Sequence, residues 1–361
     1  MAIYEVYLKS NTGILLKTLT KRLVGFEWAR VVNDLGSFSI TLSDEDEPVD
    51  RSLFQLNGQV LFNRRGAAFD MPRTEVIGLI RGWDFATDEK GVTRYTWYGP
   101  DQNALLADRV AYPWHPYTGG FWHAWHQGYA DNLMRELVED NLGAGSGNPT
   151  ARDLVTSNGA GLTIGIESSA TATACTTAGQ MNVEHAGKGL LQTLQEIAKS
   201  SLTFKQIDVG TVAVPVYFDM ALDSDTAWTF RVYPTRRGMN HRSDSGQAVH
   251  IGTRYGNLTA PRWEHDRTQE VNAALGVKIQ DPSPGDTAWA LDSTRIGEAP
   301  LNRREAAVFT SEEDTGAEPH KLLNEAKPKP RFTGRIQDTP QCRYGVHWGF
   351  GDELTIDYLD Q

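Results

Sequence analysis

A chain of 361 residues, 40% hydrophobic and 22% charged, is long enough for two or three domains with real cores and too apolar to be disordered. Its net charge of -11, from 46 acidic against 35 basic residues, excludes a protein that grips a phosphate backbone with a basic face. An acidic wall remains compatible with DNA sliding past without adhesion.

Residues 3 to about 99 read as strand after strand: 3–8, 14–19, a hairpin over 26–42, 59–63, and a long pair at 74–86 and 93–98. In the hairpin, Phe26 and Trp28 mark one face. Residues 33–36 supply turn chemistry, and Phe38, Ile40 and Leu42 alternate with Ser37, Ser39 and Thr41. Trp28 and Phe38 are expected in a core, with Glu27, Arg30 and Asn33 outward. Gly78 and Gly82 inside the 74–86 strand favour bends or bulges of the kind that curl a sheet. A small antiparallel barrel is the expectation.

After Pro100 a short helical run passes through Leu105, Leu106 and Arg109. A helix follows in which Leu133, Met134, Leu137, Val138 and Leu142 recur at helical spacing, with Asp131 as its cap and Gly143 as its end. A second helix spans 189–200, with Leu190, Leu191, Leu194, Ile197 and Ala198 on one side. Between them, 143–186 is rich in Gly, Ala, Ser and Thr and reads as loops and weakly patterned strands. Strands resume at 212–220 and 228–233, followed by a polar loop over 236–246. A second β-rich unit contains strands at 258–264, 272–280, 289–293, 332–337 and 352–358. Helical pieces are expected at 301–309 after Pro300 and at 320–327 between Pro319 and Pro328. The fold class is therefore mainly β: two antiparallel β-barrel domains, 1–110 and 251–361, around an inserted α+β domain over 111–250.

The most suggestive chemistry lies between Trp114 and His126, where three Trp and three His fall within thirteen residues. His123 and His126 at i, i+3 can share a face and hold zinc, but no carboxylate or thiol follows until Glu136 and Glu139. The alternative is a contact patch of Trp114, Trp122, His123, Trp125 and His126, facing a subunit or a sugar ring. An internally packed loop fits equally well. Acidic pairs such as Glu136 with Glu139, or Glu312 with Glu313 and Asp314, suit helix surfaces and loop tips as readily as acid–base catalysis. No phosphate loop, nucleophile elbow or His-Glu-x-x-His is found, so no enzyme, cofactor or metal is expected. Cys175 and Cys342 form no ligand pattern and read as reduced structural thiols. Residues 1–10 carry Glu5 and lack the apolar core of a signal peptide, and no run reaches the roughly 18 apolar residues of a membrane span. A soluble product that leaves its cell by lysis is the expectation.

Three stretches together resemble the siphophage tail hub, or baseplate hub, family: the hairpin over 26–42, the segment from Gly78 to Asp84 continued by Tyr98 to Arg109, and the closing run from Tyr344 to Ile356. Looser similarity extends over 130–143 and 189–198. The resemblance implies tube-type barrels and a homotrimer whose two barrels per chain alternate around an axis, joining a sixfold tube to a threefold tip. It implies as partners the distal tail or tail tube ring, the tape measure protein and tail-tip or fibre proteins, with DNA only in passage and no membrane insertion. It implies location in the virion after assembly in the host cytoplasm, and carries no catalytic residues. Because the sequence stops at Gln361 directly after the last strand, a minimal hub is expected, with lytic or receptor-binding work left to other proteins. The competing reading from another class is a cell-wall carbohydrate-binding protein or glycoside hydrolase that uses the Trp/His segment.

Overall fold

The computed structural model describes residues 3–19, 23–45, 48–65, 73–111, 125–143, 154–155, 161–168, 172–178, 180–184, 187–201, 214–278, 287–299, 301–310, 317–328 and 330–358. The chain is mainly β and divides into two units. One comprises Met1–Cys175, Gln180–Ala198 and Val216–Arg237, the other Thr176–Gly179, Lys199–Pro215 and Gly238–Gln361.

In the first unit the period-2 patterns become β1 (Ile3–Lys9), β2 (Leu15–Thr18), β3 (Leu23–Ala29), β4 (Ser37–Ser43), β5 (Gln59–Arg65), β6 (Arg73–Leu79), β7 (Gly82–Thr87) and β8 (Thr93–Pro100). They form two antiparallel four-stranded sheets, ordered β2-β1-β5-β6 and β3-β4-β8-β7. The hairpin is present as expected, with Trp28 opposite Phe38 and Phe26 opposite Ile40. Its alternation sends Phe38, Ile40 and Leu42 into a core between the sheets, where they meet Val6, Val60, Phe62 and Trp97. Each such side chain contributes about 1.5–3 kcal/mol on burial. Trp28 is half-buried, packed against this core from its margin.

The 74–86 run is two strands rather than one. Ile80 still bonds the first sheet, donating to the Gly58 carbonyl (2.9 Å) and accepting from the Asn57 N–H (2.9 Å), whereas the Arg81 N–H already donates to Tyr98 (3.1 Å). The backbone thus turns a corner from one sheet into the other. The two glycines admit aromatic rings to the backbone: a Cβ on Gly78 would lie 2.1 Å from the Phe38 ring, and one on Gly82 2.5 Å from Tyr98. Among the described residues both sheets keep open ends in their strand order, so the unit is a sandwich hinged at this corner, without a continuous closed ladder. β5 reads Val60-Leu61-Phe62 without alternation, and all three are buried, as is Ile77 beside Leu61. That sheet is covered on both faces.

The same unit continues through α1 (Ala104–Ala107), β9 (Trp125–Gly128), α2 (Ala130–Leu142), β10 (Thr163–Ile166), α3 (Thr173–Ala178), β11 (Met181–Glu184), α4 (Leu190–Ser201), β12 (Val216–Leu222) and β13 (Ala227–Pro234). A three-stranded sheet, β10-β13-β12, carries α2 and lies against β6; β9 pairs with β11. Leu133, Met134, Leu137 and Val138 give α2 the buried stripe its spacing predicts. Its cap differs. Tyr129 holds the N-cap position, while Asp131 sits buried in the first turn, accepting from the Ala172 N–H (2.9 Å) and Arg135 (3.2 Å).

The second unit contains β14 (Asn240–His241), β15 (His250–Gly252), β16 (Leu258–Glu264), β17 (Ala273–Lys278), β18 (Thr287–Leu291), α5 (Ser293–Ile296), β19 (Glu305–Thr310), α6 (Ala317–Glu325), β20 (Arg331–Ile336) and β21 (Glu353–Asp357). β21 runs parallel between β14 and β15, β16 and β20 make a ribbon, and β18-β17-β19 make a sheet against which α6 packs Leu322 and Leu323 onto Ala274 and Ala290. The helix expected at 301–309 is instead strand β19, parallel to β17. Its helix-forming Glu and Ala are overridden by the ladder that β17 offers. Among the described residues no helix is long and apolar enough to cross a membrane.

A buried polar joint and two open strand edges

The tip of the opening hairpin and the turn after β8 converge on β12. One side of β12 pairs with β13; the other meets side-chain amides instead of a strand. Asn33 accepts from the Phe218 N–H (2.8 Å) and donates to the Val216 carbonyl (3.3 Å). Two residues on, Asn103 accepts from the Met220 N–H (2.9 Å) and Gln102 donates to the Met220 carbonyl (3.2 Å). The period of the strand dictates the spacing, because alternate residues present their backbone groups to the same side. Buried backbone groups need partners, and here three amides supply them. Asn33 does so from a left-handed backbone, φ 59°, a conformation that asparagine tolerates better than most residues. Asn103 Nδ2 also donates to the Asp34 carbonyl (2.7 Å), and Gln195 to that of Asn33 (3.0 Å), fixing the hairpin tip from two directions.

Charge is buried beside these amides. The carboxylate of Asp219, on β12, accepts from Arg30 (2.9 Å) and from Arg237 through Nε (2.8 Å) and Nη2 (2.5 Å). Arg237 in turn lies over the Tyr233 ring, 5.2 Å from its centre. Burial, then the Asp219 charge, pushes the Tyr233 hydroxyl up to about 12. Asp101 is 1% exposed; its Oδ1 accepts from the Asn103 N–H (3.0 Å), and its Oδ2, tight against Gly36, has no partner. Burial pushes this carboxyl up to about 6, against the opposing pull of the Asn103 and Gly36 backbone and of Arg30, while Asp219 adds to the rise. These groups are closed to solvent and act as a joint between layers. Arg30 and Asn33, expected to face outward, are therefore inward anchors, whereas Glu27 is exposed as expected.

Two other edges are open. β7 is the last strand of its sheet, and its Trp83 and Phe85 stand opposite Trp97 and Tyr95 on the core-facing side, yet are 52% and 42% exposed. β18 ends the sheet of the second unit. Its Ala290 faces α6, while Trp289 and Leu291 on the opposite face are about half exposed.

No family of known proteins matches the sequence, and no curated protein does. Among solved structures, the chain is similar to a 43 kDa tail protein of prophage MuSo2 from Shewanella oneidensis, with a TM-score of 0.52 and 13% identity over 98% of this chain and 88% of that one. The fold is that of a prophage tail protein. Similarity at TM-scores of 0.48 and 0.43 extends to prophage tail protein gp18 of Listeria monocytogenes (11% identity, 98% of this chain and 85% of that one) and to a tail protein of Neisseria meningitidis (12%, 90% and 75%).

Within this tail-protein fold the residues singled out from sequence separate. Trp114, Trp122 and His123 lie outside the described residues. Trp125 and His126 belong to strand β9 rather than to a loop, opposite Glu184 and Val183 of β11. Glu136 is exposed on α2 and accepts from Asn132 (2.6 Å), and residues 312–314 lie outside the described residues. Asp140, which the sequence did not single out, is pushed up to about 6 by burial and by Glu136 and Glu139. Among the described residues no three His, Cys, Asp or Glu side chains are placed to hold a metal. Both cysteines are free and buried, and burial with the nearby Asp131 carboxylate pushes the Cys175 thiol up to about 12. The joint at Asn33, Gln102, Asn103 and Asp219 had no signal in sequence, since more than a hundred residues separate its two halves.

Proposed function

We propose that the chain is a structural hub of a bacteriophage tail tip or baseplate, acting in the virion as a homotrimer that adapts a sixfold tail tube to a threefold tip. The observation that carries this reading is the tail-protein fold, shared over 98% of this chain and 88% of the Shewanella prophage protein. In this reading the β-rich ends, 1–110 and 251–361, act as tube-type barrels on either side of the 111–250 insert and alternate around the axis. A net charge of -11 suits the wall of a passage for DNA. The ring meets the distal tail or tail tube ring above, and the tape measure and tip or fibre proteins elsewhere. It needs no cofactor and performs no catalysis.

Native mass measurement and electron microscopy of the purified chain test the reading. A threefold particle without affinity for cell-wall glycan is expected. A stable monomer that binds or cleaves glycan would overturn the hub and favour a carbohydrate-directed protein, and a basic inner wall in an imaged ring would refute the DNA passage.

A further inference from the structure

We propose that copies of this chain join head to tail by edge-to-edge pairing of β7 in one copy with β18 in the next. The inference rests on the ring-forming reading above and names the surfaces that make the ring. Strand edges elsewhere in the molecule are guarded. β2 is four residues long, carries Lys17 and meets β1 across a bulge. β3 is bulged between Leu23 and Gly25, β16 carries Pro261 within its irregular stretch, and β12 is capped by amides. Short strands, lysine, proline and bulges are the devices by which sheets avoid pairing with other chains.

β7 and β18 have none of them. β7 keeps an unbroken register with β8 from Gly82–Tyr98 to Thr87–Thr93, and β18 keeps one with β17 from Thr287–Val277 to Leu291–Ala273. Their sequences, Gly-Trp-Asp-Phe-Ala-Thr and Thr-Ala-Trp-Ala-Leu, contain neither lysine nor proline. Each also presents a half-exposed apolar pair on one face, Trp83 with Phe85 and Trp289 with Leu291. Pairing the two edges sets these four side chains side by side on one face of a joined sheet, the arrangement in which cross-strand aromatic contacts form.

Two features of the chain select a second copy as the occupant. A ring requires two different surfaces on each protomer that fit one another, and β7 and β18 are different and lie in different units. Each copy also carries a net charge of -11, so copies must meet where like charges are sparse. β7 brings the single charge of Asp84, and β18 brings none.

The test uses the full chain with Phe85→Lys or Trp289→Lys, both at exposed positions, each verified to melt like the parent; Trp83→Lys replaces Phe85→Lys if that variant melts early. Sedimentation velocity is run on the parent, on each variant and on their equal mixture. The parent should be trimeric, and each variant alone should associate at least 100-fold more weakly. The mixture should give 1:1 dimers and nothing larger, because only one intact junction can form between a chain with a good β18 and a chain with a good β7. A trimeric Phe85→Lys or Trp289→Lys chain, or a mixture that stays monomeric although both variants fold, would overturn the pairing while a trimeric parent left the ring reading standing. A parent that is monomeric at high concentration, or that assembles only with other tail proteins, would remove the second copy as occupant.

Discussion

Asp101→Asn should make the protein more stable at neutral pH. Asp101 is buried between the hairpin and the turn after β8, and its carboxyl ionises near 6 in the fold against an ordinary aspartate value of 3.8. As pH rises between those values, the unfolded chain releases this proton first. Stability therefore falls through that window by about 1.4 kcal/mol per pH unit, about 3 kcal/mol in all, and stays lower above it. Asparagine has no proton to lose there and keeps an oxygen for the Asn103 N–H. Its amide nitrogen takes the place of the unpartnered oxygen, at a cost of about 1 kcal/mol. The variant should thus exceed the parent by about 2 kcal/mol at about pH 7.5 and fall level with it or slightly below near pH 4. Guanidinium unfolding of both chains across that range measures the difference directly. A gap that does not change with pH, or a variant less stable than the parent at pH 7.5, would refute the account of Asp101 as a buried carboxyl held against ionisation.

Asn103→Ala removes the partner of the Met220 N–H and of the Asp34 carbonyl at once, and should cost about 2–4 kcal/mol in the same unfolding assay; a loss under 1 kcal/mol would mean that water serves the edge of β12 as well. Trp28→Ala should cost about 2 kcal/mol, less than the 3–5 typical of a fully buried Trp, because the ring packs at the margin of the core. Cys175 and Cys342 should resist a thiol reagent near pH 8 until the chain is unfolded, since both are buried and their thiols are pushed upward; complete labelling of the folded protein within minutes would contradict their burial.

What the sequence made legible was local. The alternation of Phe38, Ile40 and Leu42 carries the hairpin and its buried face, and the stripe from Leu133 to Leu142 carries α2, because a side-chain period is enforced wherever one face is buried. Misreadings arose where a distant partner decided the outcome. Glu305, Ala306 and Ala307 favour a helix by themselves, yet β17 recruits them as a strand. Residues 74–86 alternate like one strand, but the corner at Ile80 and Arg81 depends on Gly58 and Tyr98. Arg30 and Asn33 read as the polar tip of a hairpin because nothing nearby in sequence announces β12, over 180 residues away. The open edges were invisible for a related reason: whether a strand ends a sheet is a property of the sheet's order, which no strand's own residues record.

The amide cap on β12 has a consequence for how such chains can change. A sheet docked through the side chains of Asn33, Gln102 and Asn103 depends on three residues held in two turns, and leaves the ladders of the hairpin sheet intact. The segment between the turn after β8 and β12 can then lengthen, shorten or be exchanged in descendants without disturbing the strand register of the first unit. Diversity of the insert and constancy of the sandwich become separable under selection, with the cost of trading one for another confined to three amides and the carboxylates beside them.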